Sequence, residues 1–182
     1  RLLPCGGLGP RLPAAIDDPQ GAVDRLLELG IRGLKIHPCH QEFRANAYRA
    51  GASDDHLPAL AGIYERCAAR GLPVMVHTGT SVFPGARSRF GEPLECDDVA
   101  IDFPELVLIL AHAGRPLWCD QAVFVARRHR NLHLDLSGIP PARLLHYLPE
   151  LPRLASKCLW GTDWPGPGVP GLSENLEAFL EL

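Results

Sequence analysis

Several classes of protein are excluded by what this sequence lacks. No apolar run approaches the roughly 18–20 residues needed to cross a bilayer, so nothing here predicts a membrane span. Net charge is only −3, and the longest basic cluster is Arg127-Arg128-His129-Arg130. It falls near a predicted helix end, where cations are favourable for electrostatic reasons alone. A nucleic-acid surface is therefore not expected. The six cysteines show no CxxC spacing and fall within helical or strand patterns. They predict buried free thiols and a reducing, cytoplasmic compartment. GxSxG, GxxxxGK[ST] and GxGxxG are all missing, which leaves serine-hydrolase and nucleotide-binding readings without their motif. No leader-like segment opens the sequence. It begins at Arg1, inside an apolar stretch, and that start predicts a processed or incomplete chain.

What is present is a repeated grammar. Leu106-Val107-Leu108-Ile109-Leu110-Ala111 runs without polar alternation into His112 and Gly114. Such a run predicts a strand buried on both faces, as in parallel sheets covered by helices. The same pattern recurs over residues 1–8, 31–38, 73–79, 131–138 and 157–165, giving six predicted strands, each followed by helical pattern. Asp18 and Pro19 predict the cap and first turn of a helix ending near Gly30. Ser53-Asp54-Asp55 predicts another N-cap, and further helices are expected near 95–102, 117–129, 140–148 and 150–156, and from Ser173 onward. Long loops are expected over 38–53 and 79–94, directly after strand ends, where long loops are usually functional. No linker divides the chain, so residues 1–182 predict one α/β domain with a parallel sheet and right-handed crossovers. A closed (β/α)8 barrel typically needs about 250 residues. Six units in 182 residues predict a barrel short of two units, or an open six-stranded sheet.

Ionisable residues collect at the predicted carboxyl ends of these strands, the edge where ligands sit in parallel α/β folds. His77, His112 and Asp163 each close a strand, and Lys35 and His37 share one face of a fourth. One such residue alone is usually a hydrogen-bonded structural group, but four strands terminating this way are not expected from packing. Imidazoles and a carboxylate suit a divalent metal such as zinc, with manganese as the alternative. A metal with an open position would supply hydroxide near neutral pH. Arg87, Arg89 and Arg115 could hold an anionic substrate. Asp135, Ser137 and His133 share a strand face and are weaker candidates for supporting roles or turn chemistry.

These residues carry a resemblance to the amidohydrolase superfamily, specifically the amidohydrolase-2 group of metal-dependent TIM-barrel enzymes. The matching segments are Gly33-Leu34-Lys35-Ile36-His37-Pro38, Val76-His77-Thr78-Gly79, Leu110-Ala111-His112-Ala113-Gly114, Leu134-Asp135-Leu136-Ser137-Gly138 and Trp160-Gly161-Thr162-Asp163-Trp164-Pro165. The resemblance implies a (β/α)8 barrel of which strands three to eight are seen, hence an incomplete barrel truncated at its N-terminal side. It implies a divalent metal, with His77, His112 and Asp163 as ligands. Asp163 would also take the proton from the attacking water, and His112 would polarise substrate or hold a second metal. Lys35, His37, Thr78, Arg115 and Trp164 would contact substrate, and in some relatives the lysine on the strand of Lys35 is a bridging carbamate. The His-x-His pair that opens the family's metal site is missing from this sequence. The implied activity is metal-dependent hydrolysis of a C–N or C–O bond in a small carboxylated or cyclic substrate. A non-oxidative decarboxylase and a metal-independent lactonase are the alternatives within the group. A non-catalytic half-barrel, completed by a second copy or a partner segment, is the alternative outside enzymes.

Overall fold

The structure, a computed structural model, describes residues 3–51, 56–166, 168–169 and 171–182. Its centre is one parallel sheet of six strands: β1 (Cys5–Gly7), β2 (Gly33–Ile36), β3 (Val74–His77), β4 (Leu108–Ala111), β5 (Leu132–Asp135) and β6 (Cys158–Leu159). Their spatial order equals their order in the chain. This is the six-unit, TIM-barrel type of α/β arrangement expected from the sequence, with the sheet left open between β1 and β6.

Helices fill the crossovers: α1 (Pro13–Asp17), α2 (Pro19–Glu28), α3 (Pro38–Gln41), α4 (Ala59–Ala69), α5 (Glu95–Asp102), α6 (Cys119–Arg128), α7 (Leu144–Tyr147), α8 (Leu151–Leu154) and α9 (Leu172–Leu180). The Asp18 carboxylate accepts the Gly21 N–H at 2.9 Å and caps α2 as predicted. Two short helices, α1 and α3, lie where no helix is predicted from the sequence, each with proline in its first turn. They are too short to leave a periodic signal. The cap predicted at Ser53-Asp54-Asp55 lies outside the described residues. The strands are shorter than their apolar runs, because flanking residues such as Leu106 stay buried after leaving the ladder.

Strand parity divides the sheet chemically. Leu34, Ile36, Val74, Val76, Leu108, Leu110, Leu132 and Leu134 are at most 2% exposed and form the core with the helices. Lys35, Met75, Ile109 and His133 alternate with them and lie on the opposite face, aligned in one row by the pairings Lys35↔Met75, Met75↔Ile109 and Ile109↔His133. The next row toward the carboxyl edge is His77↔Ala111↔Asp135↔Leu159. The register therefore delivers polar residues to one edge of one face. All six cysteines are free thiols. Among the described residues no helix is long and apolar enough to cross a membrane.

Candidate functional site

His37 and His77 end neighbouring strands whose lateral separation is close to the usual 4.8 Å or so. Their rings stack at 3.9 Å between centroids, 16° from parallel. His77 also meets His112 edge-on at 4.9 Å. Burial, reinforced by neighbouring imidazoles and Lys35, lowers His77 to about 2 and His37 to about 4. Burial also lowers His112, against the opposing pull of the Ser137 carbonyl and of Asp163 and Asp135. The trio is therefore neutral at physiological pH, the state in which imidazole is a base or a metal ligand. Nε2 of His77 and Nδ1 of His37 are buried without a hydrogen-bond partner in the protein.

His112 sits at φ 66°, followed by Ala113 at 46° and Gly114 at 72°. Non-glycine residues seldom occupy this left-handed region, and such conformations concentrate at functional sites. Thr78 holds the turn: its hydroxyl donates to the Ala111 carbonyl at 2.8 Å and accepts the Gly114 N–H at 3.0 Å. Glycine is required at 79, where a Cβ would lie 2.1 Å from the Arg115 carbonyl oxygen. Beyond the turn, Nδ1 of His112 faces the Ser137 carbonyl at 2.9 Å. A carbonyl only accepts, so Nδ1 carries the proton and Nε2 keeps its lone pair. The Ser137 hydroxyl lies 3.2 Å from the same nitrogen and donates to the Asp135 carboxylate. Asp135, Ser137 and His112 are at most 7% exposed.

Asp163, four residues past β6, also adopts a left-handed backbone, at φ 63°. It joins His77, His112 and Arg115 in lining a cavity of about 130 Å³, closed on another side by Ser81 and Phe83 of the long loop after β3. Gly138 shows how tightly the polar groups gather. A Cβ there would lie 3.1 Å from Arg115 Nη2, 3.1 Å from His112 Nδ1 and 3.2 Å from Asp163 Oδ2. Larger cavities exist, including an almost wholly apolar one of about 450 Å³ beside Trp160 and Phe179. The site is located by chemistry, not by size.

The structure thus brings His77, His112, Arg115 and Asp163 to one cavity, with His37 stacked behind His77. Lys35 lies one row deeper on the same face. Its ammonium is depressed by burial, against the attraction of Asp135 and Asp163. Thr78 is buried and braces the turn after β4. Trp164 stands outside the cavity lining with 56% of its surface exposed. In the sequence Gly138 stood only as the last residue of the strand predicted over 131–138. The weak candidates Asp135 and Ser137 prove to support His112, as their strand parity allowed.

For a metal, the donor chemistry is right but the set is short. His77 Nε2 is a buried lone pair with no partner, on a side chain that lines the cavity together with Asp163. Yet among the described residues no three His, Cys, Asp or Glu side chains converge closely enough to hold an ion. These residues do not by themselves form a complete metal site.

Comparison with known proteins agrees with this picture. No curated protein matches the chain. Among solved structures, an uncharacterized TIM-barrel protein from Bordetella bronchiseptica is 25% identical with a TM-score of 0.74, over 99% of this chain and 59% of its own. A dihydroorotase from Campylobacter jejuni shares the fold at 18% identity and TM-score 0.52, over 86% and 54%. An amidohydrolase 2 from Bifidobacterium longum subsp. infantis does so at 17% and 0.55, over 89% and 68%. The chain thus spans about three-fifths of the length of the first of these. The amidohydrolase family profile matches residues 6–181, and the chain belongs to that family.

Proposed function

We propose that this chain carries the catalytic edge of a hydrolase that cleaves a C–N or C–O bond in a small carboxylated or cyclic substrate. The observation that supports it is the shared cavity of His77, His112, Arg115 and Asp163, with a neutral, unpartnered imidazole nitrogen buried against it. Asp163, an exposed carboxylate at the cavity, is the group suited to take a proton from an attacking water. The proton on His112 Nδ1 is committed to Ser137, so Nε2 serves as acceptor or donor to a metal. Stabilisation of negative charge falls instead to the Arg115 guanidinium. A divalent ion, zinc or manganese, would engage His77 and Asp163. Its remaining ligands would come from solvent or from a second copy of the chain set against the open edges of β1 and β6.

Elemental mass spectrometry and a turnover screen against cyclic amides and lactones test this reading. Near-stoichiometric zinc or manganese, lost in His77→Ala and Asp163→Ala, together with chelation-sensitive turnover, is the expected result. A folded, metal-free chain with no turnover would sink it. A second reading, a metal-independent lactonase with Asp163 as base, draws on the buried unpartnered Nε of Arg115 in the same cavity. Turnover that survives exhaustive chelation would select it.

A further inference from the structure

The cavity that gathers His77, His112, Arg115 and Asp163 measures about 130 Å³. Ligand pockets usually run from roughly 300 Å³ upward, so a substrate reaches these groups only if a wall moves. Most of the walls are anchored. His112 is held by the Ser137 carbonyl at 2.9 Å, and the Asp163 carbonyl accepts the Gly166 N–H at 2.6 Å. At the start of the loop after β3, Thr80 donates its N–H to the Arg115 carbonyl at 2.9 Å, and Gly79 donates to the Gly91 carbonyl at 2.8 Å. That crossing admits no side chain, since a Cβ at Gly91 would lie 2.0 Å from the Gly79 oxygen. The far end of the loop is tied down too: the Arg87 N–H donates to the Cys39 carbonyl at 2.8 Å, and its guanidinium pairs with Glu42 at 3.0 Å.

Between these anchors the tip of the loop is loose. Ser81, Val82 and Phe83 make the remaining wall of the cavity. Their hydrogen bonds are long, 3.4 Å from the Ser81 N–H to the Ser88 hydroxyl and 3.4 Å from the Phe83 N–H to the Ser81 hydroxyl. Val82 and Phe83 are 74% and 51% exposed although they line the cavity. The Phe83 ring meets that of His40, itself exposed, at 6.2 Å between centroids. Gly85 follows at φ 84° with open space around it, the backbone freedom that a pivot needs.

We propose that Val82 and Phe83 are a gate. The tip turns on Gly85 between clamped ends, opens the cavity to a ligand and shuts it from water, so that the Phe83 ring sets the size of what is admitted. The gate rests on the hydrolase reading for its use, but not for its motion. Closing such a wall excludes water and strengthens the electrostatic interactions inside. Two apolar side chains exposed together at the mouth of a polar cavity also gain by closing over a ligand, because that removes their surface from water.

Carbethoxylation of His77 by diethyl pyrocarbonate, followed by peptide mass spectrometry on the chelator-treated full chain, reads the gate without turnover. The exposed His146 is the internal reference. In the wild-type chain His77 is expected to react at least tenfold more slowly than His146, yet measurably. Phe83→Ala, at a half-exposed position, is expected to raise the His77 rate at least fivefold with His146 unchanged. A hole in a rigid wall would do the same, so a second variant tests motion. Ser81→Cys combined with Ser88→Cys joins neighbours across the stem of the loop. Its disulfide is expected to hold the tip and slow His77 at least fivefold, with the wild-type rate recovered on reduction. A His77 rate equal to that of His146 would overturn the gate. So would a rate unchanged in Phe83→Ala, or one indifferent to the oxidation state of the paired-cysteine variant. The expected rates in a chain without turnover support the gate while counting against the hydrolase reading alone.

Discussion

His37 and His77, forty residues apart in sequence, stack ring on ring at 3.9 Å because β2 and β3 are adjacent and in register. Two protonated imidazoles could not share that space, and burial holds His37 at about 4 and His77 at about 2. Unfolded histidine titrates near 6.5, so below that pH the unfolded chain binds protons that the native chain refuses. Stability from this pair is complete above about pH 6.5 and is lost as pH falls toward 4. At pH 5 the loss is on the order of 2 kcal/mol per ring. Denaturant melts of chelator-treated protein from pH 7 to 5 should show it, and His77→Ala should flatten the slope.

Glu95 works in the opposite sense. Its carboxylate pairs with Arg44 and accepts the Ala45 N–H at 3.0 Å, tying the loop after α3 to α5. Burial outweighs both partners and pushes its carboxyl up to about 7. The native state therefore holds a proton that the unfolded state releases above about 4.5, and this contribution to stability declines as pH rises from there to 7. Removing it exposes the histidine effect. Glu95→Gln should steepen the acid loss between pH 7 and 5 by a few kcal/mol, read in the same melts. An unchanged pH slope would show that Glu95 is ionised throughout.

Much of this was legible in the sequence because parallel strands buried on both faces leave unbroken apolar runs. The runs ending at His77 and His112 located β3 and β4, and parity placed Lys35 and His37 on one face. What the sequence did not carry was lateral geometry. Nothing local reports that His37 stacks on His77, or that Gly138, read as the end of a strand, sits against Arg115, His112 and Asp163. Those relations follow from register and loop path, both products of long-range packing. Thr78, which the resemblance implies as a substrate contact, also donates to the Ala111 carbonyl and accepts the Gly114 N–H, and nothing local in the sequence reports that brace.

Gly138 is the position where the smallest change should have the clearest effect. Its φ is +70°, disfavoured for any residue with a Cβ, and the added methyl would press on three polar atoms at 3.1–3.2 Å. Gly138→Ala should cost roughly 1–3 kcal/mol. At about 2–4 °C per kcal/mol for a chain of this size, the melting midpoint should fall by roughly 2–12 °C. A midpoint unmoved within 1 °C or so would mean that the turn has slack absent from this structure.

Leu110 and Val107 lie in one apolar run but differ in environment. Leu110 is fully buried between the sheet and its helices, while Val107 is 40% exposed. Leu110→Ala should cost about 2–5 kcal/mol through lost burial and a residual cavity, and Val107→Ala well under 1 kcal/mol. Equal losses in urea melts would contradict the face assignment of β4.

Ser137 supports His112 through two atoms with separable roles. Its carbonyl accepts the Nδ1 proton at 2.9 Å, while its hydroxyl bridges toward Asp135. Ser137→Ala removes only the second. The buried Asp135 carboxylate would lose its hydroxyl donor, at a cost of roughly 1–3 kcal/mol. The carbonyl stays, so His112 should keep its proton on Nδ1, as long-range proton–nitrogen correlation spectra of the imidazoles can read directly. If the tautomer flips in Ser137→Ala, the hydroxyl rather than the carbonyl governs His112, and the lone pair offered to the cavity depends on Asp135.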